Sequence, residues 1–178
     1  MSSENAHHHT KVAAELGLAS LGLAAAGFAG YAAMRKYHRA HLEQSEIQQY
    51  QNRLNIFNDS RVERKLKNGR HTMAVAAVHI YYASHNSVER VITKQQLWEQ
   101  FQASADSSLH ITKHQLQDAL GFLSDHELIS RRPAESNPKS QGYYALPALE
   151  WSIEEGDKPA VVTRAETAFL EEYSSGNW

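Results

Sequence analysis

The chain has 178 residues, of which 42% are hydrophobic, so it is long enough for one compact domain with extensions and is not wholly disordered. It contains no cysteine, which excludes disulfide scaffolds, thiolate metal sites and cysteine nucleophiles. The formal net charge of −2 is unevenly distributed, because residues 35–69 carry eight basic and four acidic side chains whereas residues 151–178 carry two basic and six acidic ones.

The chain begins with a polar stretch, residues 1–11, that is predicted to be a disordered tail. It contains His7, His8 and His9. Adjacent residues cannot all face one ion on a regular element, and no carboxylate lies at ligand spacing. No metal site is therefore predicted.

Residues 12–34 are predicted to form an apolar helix. Within this range, 16–34 is a run of 19 uncharged residues, which would span about 28 Å as a helix. Because the run is rich in alanine and glycine, two interpretations stay open: a transmembrane helix, or a helix packed against protein in a homo-oligomer or on the chain's own core. A targeting segment is less favoured. If the run spans a membrane, the lysine and arginines that follow it place the next domain in the cytoplasm.

Residues 35–69 are predicted to be a basic, polar, helical linker. Ile47, Tyr50, Leu54 and Phe57 are spaced 3, 4 and 3 residues apart, which predicts a short apolar seam. This seam would pair either with a second copy of the chain or with the domain that follows.

A helix restart is predicted after residue 59, with Ser60 and Glu63 as a capping box. The restart carries a secondary basic cluster, which either is a solvated helix face or contacts phosphates of DNA or lipid. Its members are Arg61, Arg64, Lys65, Lys67 and Arg70.

Three helices are predicted in the first part of residues 70–150. The first, residues 73–84, is mostly apolar and contains His79, which we interpret as a structural, partly buried histidine. Val91 and Ile92 are predicted to be a short edge strand. Thr93 then caps a second helix, and Thr112 with Gln115 forms a capping box for a third. The two helix starts, TKQQL and TKHQL, use the same chemistry twice.

The third helix is followed by the pattern of a two-stranded hairpin. The sequence at 128–132 is extended, a loop rich in proline and asparagine follows, and the segment Tyr143 to Leu146 returns as a strand. This order resembles the winged helix-turn-helix superfamily over roughly residues 70–150. The resemblance implies a mainly α fold with a small antiparallel β wing.

The same resemblance implies DNA binding by the third helix and the wing. Residues at the start of such a helix reach base edges in the major groove, and the wing adds backbone or minor-groove contacts. The candidate nucleic-acid-binding residues are Thr112, Lys113, His114, Gln115, Gln117, Arg131, Arg132 and Lys139.

Residues 151–178 are predicted to be an acidic extension with a short helix capped by Thr163 and Glu166. The sequence contains no G-x-S-x-G, no glycine-rich phosphate loop and no H-E-x-x-H, so neither an enzyme nor a cofactor is predicted.

Two functions follow as hypotheses. The leading one is a DNA-binding regulator that is tethered to a membrane if 16–34 spans it, with the winged domain in the cytoplasm. The alternative is a non-enzymatic assembly module that uses the winged helix to dock a protein partner. The alternative is favoured by charge, since residues 70–150 carry seven basic and eight acidic side chains and DNA-binding domains are usually basic.

Overall fold

The computed structural model describes residues 44–66, 68–104, 106, 109–154 and 158–174, which belong to one compact unit. The predictions for the tail, for the apolar run at 16–34 and for Lys67 lie outside these residues. Of the helices that are described, none is both long and apolar enough to cross a membrane.

The described part of the chain is mainly helical, with a small two-stranded antiparallel sheet, as the sequence predicted. A 3-10 helix at Asn55–Asn58 extends the first α-helix. The α-helices are α1 (Gln44–Leu54), α2 (Ser60–Lys65), α3 (Gly69–Asn86), α4 (Lys94–Ala103), α5 (Lys113–Asp125), α6 (Pro147–Glu154) and α7 (Ala160–Ser174). The strands are β1 (Ile129–Pro133) and β2 (Gln141–Ala145).

Helix α3 lies at the centre of the hydrophobic core, and its neighbours are α2, α5, α6, α7 and β2. Nearly every side chain from Thr72 to Tyr81 is buried, so this helix has no polar face over two and a half turns. Three of these residues are alanines, Ala74, Ala76 and Ala77, whose small side chains allow close packing on all sides.

The seam predicted in the linker packs onto this same unit. Leu54 and Phe57 are buried in the core, and the Tyr50 ring lies 6.0 Å from the ring of Trp151 in α6. The core also takes Phe169 from α7. It is therefore built from residues on both sides of the 70–150 range.

Two predicted helix starts are wrong. Asp59, not Ser60, caps α2, because the Asp59 side chain accepts a 2.8 Å hydrogen bond from the Arg61 backbone N–H. Helix α7 begins at Ala160, so Thr163 lies inside it and does not cap it. In the first case a different residue caps the helix, and in the second case the helix starts earlier than the sequence pattern had suggested.

The strands pair in the register Ile129↔Ala145, Arg131↔Tyr143 and Pro133↔Gln141. The strand predicted at Val91 and Ile92 is reduced to a single bridge, in which Ile92 and Tyr143 exchange backbone hydrogen bonds of 3.1 and 2.9 Å. Gly142 is buried at this crossing, where an added Cβ would lie 2.6 Å from Val91 Cγ2. The close approach of the two segments therefore requires glycine.

Candidate functional site

The start of α5 is held by the predicted capping box. Thr112 Oγ1 accepts a hydrogen bond from the Gln115 backbone N–H at 3.1 Å, and Gln115 Oε1 accepts one from the Thr112 backbone N–H at 2.9 Å. The side-chain oxygens of both candidate residues are therefore used to cap the helix, and they are not available to bind a ligand.

The start of α4 lies beside the start of α5. Lys113 Nζ donates a hydrogen bond to Gln95 Oε1 at 2.8 Å, and Lys94 Nζ donates one to Gln117 Oε1 at 3.0 Å. We call these four residues, Lys94, Gln95, Lys113 and Gln117, the α4–α5 patch. Two predicted site residues, Lys113 and Gln117, belong to it.

The Lys113 ammonium group packs on the face of the Trp98 ring. Lys113 Nζ lies 4.5 Å from the centre of the Trp98 ring, and Trp98 Nε1 donates a 3.2 Å hydrogen bond to the Ile111 carbonyl oxygen. The ring is thus anchored at one edge while its face supports the ammonium group.

The α4–α5 patch is electropositive. Neither Lys94 nor Lys113 forms an ion pair with a residue that the structure describes. The first turns of two helices meet here, and the N-terminus of a helix carries partial positive charge on its unpaired N–H groups. The arrangement suits an anion such as phosphate.

Carboxylates limit the extent of this positive region. Glu99 accepts a 2.5 Å hydrogen bond from Gln95 Nε2, and Asp118 lies 3.6 Å from His114 Nε2. The His114 side chain is 86% exposed, so this predicted site residue is accessible at the same helix start.

On the hairpin, both predicted arginines stack on tyrosines. The Arg131 guanidinium lies 4.7 Å from the centre of the Tyr143 ring and donates a hydrogen bond to the Tyr143 hydroxyl. Arg132 lies 4.9 Å from the centre of the Tyr144 ring and donates a 3.0 Å hydrogen bond to the Arg90 carbonyl oxygen. Arg131 is the exposed one of the two, so it is the better placed to meet a ligand.

Lys139 lies in the exposed loop at the tip of the hairpin. The loop is anchored to the turn after α3, because the Ser136 hydroxyl and backbone N–H both donate to the Glu89 carboxylate. Arg90 also lies 3.7 Å from Glu135. The tip is therefore held against the turn after α3, and Glu89 and Glu135 take part in the contacts that hold it.

The secondary basic cluster is partly neutralised by its own neighbours. Arg61 pairs with Asp59 at 2.6 Å, and the hydrogen bonds from Arg61 lower the pKa of Asp59 to about 2. Arg70 pairs with Glu63 at 2.9 Å. Lys65 Nζ lies 5.5 Å from the centre of the Phe122 ring, and Arg64 is exposed.

Sequence reasoning missed Lys94, Gln95 and Trp98 as parts of the site. The similarity of TKQQL and TKHQL could have indicated that both helix starts belong to the site, but it was interpreted only as the same capping chemistry used twice. That the two starts meet in space depends on the packing of α4 against α5, which no local pattern contains.

No group of three or more His, Asp or Glu side chains that could hold a metal ion occurs among the described residues. Comparison of the chain with protein family models, with curated proteins and with solved structures gave no match.

Proposed function

We propose that this protein is a winged-helix DNA-binding regulator that contacts DNA through the α4–α5 patch and the hairpin. The observation that carries the proposal is the meeting of two helix N-termini with Lys94 and Lys113, neither of which is offset by an ion pair within the described residues. Helix N-termini and lysines are common ligands of DNA phosphates.

In this proposal, α5 is the helix that enters the major groove. Near its start, the exposed Lys113 and His114 and the half-buried Gln117 have the donors and acceptors needed to reach guanine and adenine edges. Lys113 and Gln117 now bond to side chains of α4, and these bonds would exchange for bonds to bases or phosphates on binding. Arg131 and Lys139 would contact the backbone beside the groove.

The test is salt-dependent binding of the full-length chain to double-stranded DNA of mixed sequence. Each phosphate contact releases counterions, so the logarithm of affinity falls with the logarithm of salt concentration by about 0.9 per contact. We expect the double variant Lys94→Gln, Lys113→Gln to bind more weakly and to lower this slope by about 2.

A control is Arg164→Gln on the exposed side of α7, which removes one positive charge away from the patch, where the double variant removes two within it. It should leave the slope unchanged. Absence of measurable DNA affinity at about 50 mM salt, or an equal loss in the control, would overturn the proposal.

The second candidate is a protein-docking module that uses the same surface. Residues 44–178 carry 14 basic and 17 acidic side chains, a net charge of −3, which opposes DNA binding in general. The hairpin presents arginine stacked on tyrosine, and these two residue types are enriched in protein interfaces. A chain that fails to bind DNA at low salt would favour this candidate.

The membrane tether stays a prediction, because 16–34 lies outside the described residues. Resistance of the full-length protein to carbonate extraction from membranes would support it, and complete release would contradict it.

A further inference from the structure

A cleft of about 330 Å³ lies among α3, α4, α7 and the bridge segment at Val91 and Ile92. Helix α3 contributes His79, Tyr82 and Ala83 to its wall, and α4 contributes Gln96 and Gln100. A smaller cavity of about 80 Å³ adjoins it and shares His79, Gln100 and Phe169. The cleft is distinct from the α4–α5 patch, and its volume is at the lower end of the range for small-molecule sites.

The wall of the cleft is aromatic on one side. Tyr82 and Phe169 stack with their ring centres 4.5 Å apart and their planes inclined by 13°. His79 meets the Phe169 ring edge-on, with ring centres 4.9 Å apart. Flat apolar surfaces of this kind favour a planar ring, which gains both apolar burial and ring contacts.

None of the described residues that line the cleft is an aspartate, glutamate, lysine or arginine. Burial lowers the pKa of His79 to about 4, so its imidazole is neutral at pH 7. A charged ligand would lose its hydration here without gaining a counter-charge, which disfavours ions.

One polar atom at the cleft is unsatisfied. Gln100 Oε1 is buried and accepts no hydrogen bond from any residue that the structure describes. A buried oxygen without a donor destabilises the protein relative to a state in which a donor reaches it. A ligand that brings an N–H or O–H group would supply the missing bond once the Gln100 side chain, which lines the cleft, turns this oxygen towards it.

We propose that this cleft binds an uncharged planar molecule of one or two aromatic rings that carries a hydrogen-bond donor, and that Gln100 accepts the bond from this donor. The proposal concerns binding at the cleft alone and does not depend on DNA binding at the α4–α5 patch.

The test uses the full-length chain and two probes of nearly the same shape, indole and benzofuran, measured by calorimetric titration. Indole has a ring N–H and benzofuran has an oxygen in its place. We expect saturable binding with a Kd on the order of 1 mM or below, and about 2- to 10-fold tighter binding of indole, the ratio that one hydrogen bond produces.

Two variants assign the binding to the cleft. Gln100→Leu removes the acceptor, so the two probes should bind to it with equal affinity while benzofuran affinity is kept. Ala83→Leu fills the cleft and should abolish binding of both probes. Ala103→Leu, which adds the same volume at an exposed position of α4, is the matched control and should bind as the wild type does.

Equal affinity for both probes in the wild type, or no saturable binding of either, would overturn the proposal. The same holds if Gln100→Leu keeps the preference for indole. Should Ala83→Leu lose its fold by circular dichroism, the comparison of indole with benzofuran in the wild type and in Gln100→Leu still decides the matter.

Discussion

The stability of this protein should depend on pH through His79. Burial lowers the pKa of this imidazole from 6.5 to about 4, although Nδ1 donates a 2.9 Å hydrogen bond to the Val75 carbonyl oxygen. In the unfolded chain the same group protonates near pH 6.5. As pH falls from 6.5 towards 4, the unfolded state therefore binds a proton that the folded state does not, and stability is lost.

The magnitude follows from the width of this window. For one proton, each pH unit changes the free energy of unfolding by about 1.36 kcal/mol. Between pH 7 and pH 5, about 1.5 units lie below the pKa of the unfolded state, so the protein loses about 2 kcal/mol of stability. Below the folded pKa the loss levels off at about 3 kcal/mol.

The measurement compares urea unfolding of the wild type and His79→Gln at pH 7 and pH 5. The substitution removes the titrating group, and all other titrating groups are common to both proteins. We expect the wild type to lose about 2 kcal/mol more than the variant over this interval. If both proteins lose the same amount, His79 is not a buried neutral histidine and the reasoning is wrong.

Three further substitutions test local features of the fold. Gly142→Ala should destabilise it by about 1–3 kcal/mol, because the new Cβ would lie 2.6 Å from Val91 Cγ2, and wild-type stability in urea would contradict the close approach. Gly121→Ala should stabilise α5 by about 0.5–1 kcal/mol, since no atom lies within 4 Å of the added Cβ, and a lower thermal midpoint would refute this. Thr112→Ala should cost about 1 kcal/mol by removing the cap of α5, whereas an unchanged free energy of unfolding would show that the cap contributes nothing.

The parts of the fold that could be predicted from sequence depend on short-range chemistry. The cap predicted at Thr93 and the capping box predicted at Thr112 are both confirmed, because in each case a threonine hydroxyl and a glutamine three residues later satisfy each other's backbone donors. The two antiparallel strands are confirmed for a similar reason, since the loop between them is marked by proline, asparagine and serine.

The parts that could not be predicted depend on contacts between distant segments. Glu63 accepts a hydrogen bond from Arg70, so it is not available for the capping box of α2. The sequence around Asp59 does not indicate this contact. Likewise, the hydroxyl of Tyr81 donates a 2.9 Å hydrogen bond to Glu154, which is 73 residues away. Helix α6 itself, which begins at Pro147, was not predicted as an element.

The candidate site shows the same division. Lys113, His114 and Gln117 were placed at the start of α5 from sequence and are exposed or half-exposed there. The roles of Lys94 and Trp98 were missed because they depend on the packing of α4 against α5. DNA binding and the winged-helix assignment stay predictions that the proposed experiments test.

The central position of α3 has a consequence for how the protein unfolds. The neighbours of this helix come from both ends of the described chain. Local unfolding therefore cannot expose it to solvent, because α7, α2 and β2 would all have to separate from it at once. Its backbone amides from Thr72 to Tyr81 should then exchange with deuterium only through complete unfolding, and they should be the slowest in the molecule. A cut at residue 150 would remove α7, which packs on α3, and would also divide α6, so the remaining fragment should lose stability as a whole.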